Sequence, residues 1–285
     1  MTEADAVFSA ADVSSANNPL RVGDRYVEPR RRRLTRRNLP TVILLGVAIT
    51  WLIVSFWLSE IDLGRLIEGL PRLINWLGKA WPPNVKEFDW VIYRAFQTLA
   101  IATAATFIAS ILALPLGVMA ARNLSGAAFA VPLRMMLNAL RGIDTIIFAL
   151  LFVVAVGLGP FAGVLGMILH SIGVIGKLYS EAIETLDPGP IDAARITGAN
   201  GAKLTSFAVL PAALPSFTST ALYMWEGNVR TSTVLGLVGA GGIGMEIKNS
   251  IDLLNFPRLL TLTVVMLVLV AAIDWLSSTL RRKLV

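Results

Sequence analysis

Oppositely charged side chains stand close together inside long apolar stretches of this sequence. Glu226 and Arg230 are four residues apart, a spacing that places both on one face of a helix. Alone, each would cost about 2.5–3.5 kcal/mol at the centre of a bilayer, and pairing lowers that cost. The pair is either structural, or it presents Arg230 to a passing anion while Glu226 restrains it. Arg141 and Asp144 pose the same choice.

His170 is the only histidine and lies in an apolar stretch. Either its imidazole is packed and hydrogen-bonded, which is the commoner situation, or it lines a path for an anion. A metal site needs several ligands, and a chain with one histidine and no cysteine predicts none. A membrane-embedded enzyme would need clustered His, Asp or Glu residues, so the inventory argues against catalysis.

A glycine-rich segment follows Glu226 and Arg230. It satisfies the spacing G-x-G-x-x-G, but it follows a long apolar stretch instead of a strand, and the residues near 260 are apolar where a dinucleotide site needs an acid. We expect a tight non-helical turn, with a gate as an open alternative, formed by Gly239, Gly241, Gly242 and Gly244. The segment 198–203 lacks the spacing and the Ser or Thr of a P-loop, so the chain is not expected to hydrolyse ATP.

The segment 187–198 predicts a short helix with a defined beginning and end. Asp187 is a good N-cap, Pro188 suits the first helical position, and Gly198 is a good C-terminal stop. The middle, Ala193–Ala194, is small enough for another surface to approach the backbone closely. The residues alone leave two alternatives open, a docking site or a structured loop without a partner.

Long runs without charged residues predict membrane-spanning helices. The chain has 285 residues, of which 55% are hydrophobic and 15% charged, whereas soluble domains have about 25% charged residues. A bilayer core of about 30 Å needs roughly 20 apolar residues, and such a run must be helical in lipid. The sequence therefore predicts an all-α polytopic membrane protein with six transmembrane helices, at about 39–58, 95–121, 134–156, 161–180, 214–237 and 259–280.

Two further helices are expected outside these spans. Apolar residues at helical spacing over 63–80, with tryptophans nearby, predict an interfacial helix within an extracytoplasmic loop, 59–93. In the polar stretch 181–213, a second short helix over about 202–210 should end before Pro211, because proline interrupts a helix interior.

Basic residues are concentrated on one side of the predicted spans. Six spans place both termini on the same side. Most basic residues lie in the tail 1–38, the segments 122–134 and 181–213, and the C-terminus, which predicts that both termini are cytoplasmic. The net charge of +6 therefore reflects topology and does not indicate nucleic-acid binding. The tail has no apolar segment ahead of its arginines, so we expect a disordered cytoplasmic tail and no targeting peptide.

The polar stretch also carries a recognisable motif. Asp192-Ala193-Ala194, three residues, Gly198, nine residues and Ala208-Val209-Leu210-Pro211 resemble the EAA loop of ABC importer permeases. The family pattern has Glu in place of Asp192 and Ile in place of Ala208, and every spacing is kept. In that family the loop inserts as a coupling helix into a cleft of the ATP-binding subunit. The resemblance implies that contact here for Asp187, Asp192, Ala193, Ala194, Arg195, Gly198, Leu210 and Pro211.

A narrower resemblance covers about 94–285. The segments 140–144, 170–182, 225–230 and 238–244 are similar to phosphonate importer permeases. Substrates in that family are phosphonates and, in some members, phosphate or phosphite. The resemblance implies a permease core of the MetI-like type at 94–285, with an extra N-terminal span at 39–58.

The same resemblance implies the partners. These would be a second copy of the chain, two ATP-binding subunits that hold ATP and Mg²⁺, and an extracytoplasmic phosphonate-binding protein. The chain itself would be a non-catalytic subunit of the bacterial plasma membrane without a cofactor of its own. Two rivals stay open: a permease of the same family for another small anion, and a secondary transporter driven by an ion gradient, for which the sequence lacks a convincing inverted repeat.

Overall fold

The computed structural model describes residues 20–22, 25–27 and 39–284, which divide between two compact units, Met1–Gly69 and Leu70–Val285. In the first unit, β1 (Leu20–Val22) and β2 (Arg25–Val27) pair antiparallel. The predicted disorder of the tail 1–38 falls mostly outside the described residues. The helices are α1 (Leu39–Leu58), α2 (Leu63–Ala80), α3 (Phe88–Ala120), α4 (Ala127–Gly142), α5 (Thr145–Val156), α6 (Pro160–Glu184), α7 (Pro188–Ile196), α8 (Gly201–Leu204), α9 (Leu210–Leu237), α10 (Gly242–Asp252) and α11 (Phe256–Leu284).

The predicted all-α polytopic architecture is confirmed. In the described part of the chain, five helical segments are long and apolar enough to cross a membrane, and there are six if the bent pair α4–α5 crosses as one. The first span and the amphipathic helix have the predicted bounds, since α1 covers Leu39–Leu58 and α2 covers Leu63–Ala80.

The third span differs from its prediction. We expected one helix over 134–156, but α4 and α5 meet at an angle of 84°. Asp144 Oδ1 accepts a hydrogen bond from the Ile146 amide at 2.9 Å and so caps a new helix. Gly142 and Asp144 indicate a break in the sequence, because glycine ends helices and aspartate caps their beginnings. The prediction of one span followed instead from the apolar composition of the segment.

The expected helix end before Pro211 is also wrong. α8 leads into a π-helical turn, Thr205–Val209, and the helix continues through Leu210 and Pro211 into α9. Proline lacks an amide hydrogen, and its ring clashes with the carbonyl four residues earlier. A π turn shifts the preceding carbonyls, which lets the helix accept the proline without stopping. Leu210 is half-buried and Pro211 is exposed.

Small residues allow α3 and α6 to approach closely at the centre of the second unit. On α3, Ala105, Ala109 and Ala113 are fully buried at four-residue spacing, and Gly117 continues the row. A methyl group at Gly117 would lie 2.7 Å from Cβ of Tyr179 on α6. Lipid supplies no hydrophobic driving force between helices, so such close backbone packing holds spans together.

Candidate functional site

The loop with the EAA-like motif folds as its caps predict. α7 begins at Pro188, and Asp187 Oδ1 accepts a hydrogen bond from the Gly189 amide at 3.0 Å. The helix is followed by Gly198 at φ +73°, a left-handed conformation that glycine adopts without steric cost. The Gly198 amide donates to the Arg195 carbonyl at 3.0 Å, which closes the turn.

α7 is buried on one side and presents small and apolar residues on the other. Ile191 is 5% exposed and belongs to the main apolar core. Asp192 and Ala193 are exposed, and Ala194 is half-buried. Ile196, which the sequence analysis did not name, is 87% exposed. Helical spacing puts Ile196 far around the helix from Ile191, and this pattern could have identified it as part of an outward surface.

A second large apolar side chain, also missed in the sequence, extends this surface. Phe207 lies in the π turn that contacts α7 and is 81% exposed. Together with the outward residues Asp192, Ala193 and Ile196, it forms what we call the α7 surface. Aromatic and apolar side chains next to small residues are typical of the centre of a protein–protein contact.

Arg195 ties α7 to the connection between α3 and α4. Its Nη2 donates to the Asn123 carbonyl at 3.0 Å, and its Nη1 lies 3.4 Å from Asp192 Oδ1. Asn123 in turn donates through Nδ2 to the Ile183 carbonyl, near the end of α6, at 3.0 Å. A displacement of α7 is thereby linked to the ends of α3 and α6.

Glu184, the last residue of α6, joins three helices: α6, the end of α3 and the middle of α4. Its Oε1 accepts a hydrogen bond from the Arg122 amide at 2.7 Å and pairs with the Arg134 guanidinium. Arg134 Nε donates to the carbonyl of Ala120, the last residue of α3, at 2.8 Å. Arg134 therefore fastens the middle of α4 to the ends of α3 and α6, where the sequence suggested only a charge within the third span.

Glu226 has two arginine partners. The predicted contact with Arg230 is present, with Arg230 Nη2 3.1 Å from Glu226 Oε1. Arg281 of α11 places its Nη2 2.8 Å from Glu226 Oε2. Glu226 is 13% exposed, Arg281 29% and Arg230 51%. Sequence spacing found the pair within α9 but missed Arg281, because a contact between helices leaves no local signature.

Arg141 and Asp144 do not form the expected ion pair. Asp144 uses its carboxylate to cap α5, and both residues are exposed at the bend between α4 and α5. Within the described residues no salt bridge joins them, because the chain turns away after Gly142. Asp144 therefore does not neutralise Arg141. The absence of this pair does not by itself show that Arg141 lines a path for an anion.

His170 supports the bend from α6. Its Nδ1 lies 2.9 Å from the Ile143 carbonyl, one of the groups that the break in the helix leaves without a helical partner. Gly173 lies beneath the same bend, where a methyl group would come 2.5 Å from the Arg141 amide nitrogen. The imidazole is thus hydrogen-bonded to the backbone, which is the commoner of the two situations considered for it.

The glycine-rich segment forms a tight turn between α9 and α10. Gly239, Gly241 and Gly242 have φ values of +88°, +79° and +73°. The Gly159 amide donates to the Gly239 carbonyl at 3.0 Å, which links the turn to the beginning of α6. Gly244 lies within α10, packed against the backbone of α9. A role of this turn as a gate stays a prediction.

α10 is positioned by side chains of α3. Gln97 Oε1 accepts a hydrogen bond from the Gly242 amide at 3.2 Å, and Thr98 Oγ1 accepts one from the Ile243 amide at 2.8 Å. These two acceptors satisfy amides that a helix leaves free at its beginning.

Glu246, a buried carboxylate that the sequence analysis missed, anchors α10 to its neighbours. It is 7% exposed and lies 3.2 Å from Arg94 and 3.1 Å from Arg258. Trp90 Nε1 donates to it at 3.2 Å, and Arg258 also pairs with Glu87 at 3.2 Å. Among the described residues, no three His, Cys, Asp or Glu side chains are grouped to hold a metal ion.

Comparison with known proteins identifies the family to which this architecture belongs. The family model described as the binding-protein-dependent transport system inner membrane component matches residues 113–285. HtxC, a transport system permease protein of Stutzerimonas stutzeri, is 44% identical over 236 residues, 82% of this chain and 84% of HtxC. PtxC, the phosphite transport system permease protein of the same species, is 38% identical over 242 residues, 84% of this chain and 86% of PtxC. A chain of the inward-facing MetNI methionine ABC transporter matches with TM-score 0.61 and 23% identity, covering 70% of this chain and 98% of that chain.

The chain therefore belongs to the binding-protein-dependent transport system inner membrane components, the permease subunits of ABC importers. The likeness to MetNI confirms the expected MetI-like fold. Such permeases are non-catalytic, multi-pass proteins of the inner membrane, which act with ATP-binding subunits and a substrate-binding protein.

Proposed function

We propose that this permease carries a phosphonate or a related phosphorus oxyanion across the plasma membrane. The observation that carries the proposal is the triad of Glu226, Arg230 and Arg281. One carboxylate against two guanidiniums leaves an excess positive charge within the span, and guanidinium groups bind phosphorus oxyanions through paired hydrogen bonds. The phosphite transport named for PtxC and the segments similar to phosphonate permeases support the same class of substrate.

The triad also suits release of the anion. A transport path must bind its substrate strongly enough to admit it and weakly enough to let it leave. Glu226 occupies both arginines when no anion is present, so an arriving oxyanion competes with a carboxylate for them. The competition lowers the net affinity, while the arginines still select for negative charge.

Energy enters at the α7 surface. In this proposal α7 inserts as a coupling helix into a partner subunit that binds and hydrolyses ATP with Mg²⁺. Ile191 anchors α7 in the core, and Arg195 connects it through Asn123 to the end of α6. Closure of two ATP-binding subunits would displace two such helices and rock the spans between inward-open and outward-open states.

The assembly is proposed to contain two copies of the chain, with the path along their shared interface. Both termini lie in the cytoplasm in this arrangement, as the distribution of basic residues predicts. The glycine turn between α9 and α10 then faces the opposite side, where a binding protein delivers the anion and where the turn would act as a gate.

Reconstitution tests the proposal. The permease, its ATP-binding subunit and its binding protein are placed in liposomes, and uptake of methylphosphonate, phosphite, phosphate and sulfate is measured. We expect ATP-dependent uptake of at least one phosphorus oxyanion and little uptake of sulfate. Preferential uptake of sulfate would show that the substrate is a sulfur oxyanion and that the proposed phosphorus class is wrong. Uptake that survives ATP depletion and stops when the proton gradient collapses would favour a secondary transporter.

A further inference from the structure

An open groove lies between α9 and its neighbours, on the part of α9 that precedes Glu226. Its volume is about 700 Å³. Four hydroxyl-bearing residues of α9 line it at helical spacing, and the Arg281 side chain reaches it from α11. The hydroxyl-bearing residues are Ser216, Ser219, Thr220 and Tyr223.

These hydroxyls are available to a ligand. Thr218, on the neighbouring face of α9, donates to the Leu214 carbonyl at 2.8 Å, the usual partner of a hydroxyl in a helix of a membrane protein. None of the four groove hydroxyls forms a hydrogen bond with the described part of the chain. An unpaired hydroxyl in a span is costly unless water or a ligand meets it. The hydroxyl-lined side of the groove, which faces Leu178 and Pro215 as well, therefore suits water or a polar ligand better than lipid.

The charged side chain that lines the groove is basic. It belongs to Arg281, and the carboxylate of Glu226 is shared between Arg281 and Arg230. A row of hydroxyl donors next to a guanidinium matches the oxygen atoms of a tetrahedral oxyanion, each of which accepts hydrogen bonds. A contact with a second protein would instead favour apolar side chains at its centre.

We infer that this groove is a release-side binding site for a phosphorus oxyanion, held by the hydroxyls of Ser219 and Thr220 and by Arg281. The inference rests on the proposed function, because it is the proposed topology, with both termini in the cytoplasm, that puts the groove between Glu226 and the cytoplasm. An anion that leaves the triad passes into the groove and from there to the cytoplasmic side. The same site binds anion from the cytoplasm, so accumulated product slows the cycle.

The test uses the assembled transporter in liposomes, with ATP inside and saturating binding protein outside. ATP hydrolysis is measured as methylphosphonate in the lumen is raised. In the wild type we expect hydrolysis to fall as lumenal methylphosphonate rises. The double variant Ser219→Ala with Thr220→Val should need about tenfold more methylphosphonate for the same inhibition, since each hydroxyl contributes about threefold. Arg281→Ala should abolish the inhibition.

A neighbouring residue provides a matched control for each substitution. Thr218→Val removes a hydroxyl that is occupied by the Leu214 carbonyl, and Arg282→Ala removes an exposed arginine next to Arg281. Both controls should keep the inhibition of the wild type. Equal inhibition in wild type and double variant would overturn the inference, as would the absence of any inhibition by lumenal methylphosphonate, phosphite or phosphate.

Two other outcomes are separable. If the double variant no longer assembles with a second copy, as judged by its mass in detergent, the groove is a protein contact and the inference fails. If the wild type imports no phosphorus oxyanion from outside, the proposed function fails. If the wild type imports methylphosphonate but shows no product inhibition, the inference about the groove fails and the proposed function stands.

Discussion

Glu226 shares its two oxygens between arginines of different helices, and its loss would leave both arginines without this counter-charge. Only 13% of the Glu226 side chain is exposed, so water would not fully replace the carboxylate as a partner of the arginines. Removing one partner of such a cluster matters more than the strength of any single pair, because the remaining charges keep their cost of burial. The balance between one carboxylate and two guanidiniums is thus the property that determines how firmly an anion is held.

Glu226→Gln should slow uptake by about tenfold at saturating binding protein, because an anion then meets two unrestrained arginines and leaves slowly. The double variant Glu226→Gln with Arg230→Gln restores the original charge balance and should recover part of that rate. Initial uptake rates in liposomes are measured for the single and the double variant. Arg282→Gln, which removes the arginine next to Arg281, is the control. A double variant slower than the single one would contradict this account of Glu226.

Among the elements, α7 was the most predictable, because its caps are local. Asp187, Pro188 and Gly198 fix its two ends within a few residues of sequence. The bend between α4 and α5 was missed because composition favoured one long span over the local stop at Gly142 and the cap at Asp144. In the triad, spacing identified the half that lies within one helix and could not identify Arg281.

Gly198→Leu should abolish ATP-dependent uptake while leaving membrane insertion intact. Leucine at φ +73° is strained by about 1–2 kcal/mol, so the turn after α7 would reorganise and displace the α7 surface. Gly126→Leu is the matched control, since Gly126 is also exposed with open space around it and has φ −59°. Uptake is compared with the amount of protein in the membrane fraction. Normal uptake by the Gly198 variant would count heavily against docking through α7.

Gly244→Ala should destabilise the permease by about 1–3 kcal/mol, lowering Tm by about 5 °C. Its methyl group would overlap the Thr233 carbonyl of α9, which is backbone and cannot rotate away. Gly227→Ala on α9 is the control, because nothing lies within 4 Å of an added methyl group there. Thermal unfolding of both purified variants provides the measurement. Equal Tm values would show that α9 and α10 are not packed as described.

At the scale of the whole second unit, charged residues tie helices together at both ends of the spans. Glu184 and Arg134 join α3, α4 and α6 beside α7. Glu246, with Arg94 and Arg258, joins α3, α10 and α11 at the other end. These ties connect residues far apart in sequence, which is why composition and spacing predicted the spans but not their attachment. Rigid ends would let a displacement of α7 reach the middle of the spans without being absorbed locally.

Cross-linking tests whether α7 enters an ATP-binding subunit, the contact through which ATP hydrolysis would drive transport. The chain has no cysteine, so Ala193→Cys introduces a single thiol on the α7 surface, and Asp252→Cys introduces one at an exposed position at the end of α10 as the control. A short bifunctional thiol–amine reagent is applied to the assembled transporter in membranes. We expect a cross-link from position 193 to the ATP-binding subunit and none from position 252. No cross-link from 193 in a transporter that still imports substrate, or one from 252 instead, would contradict this contact.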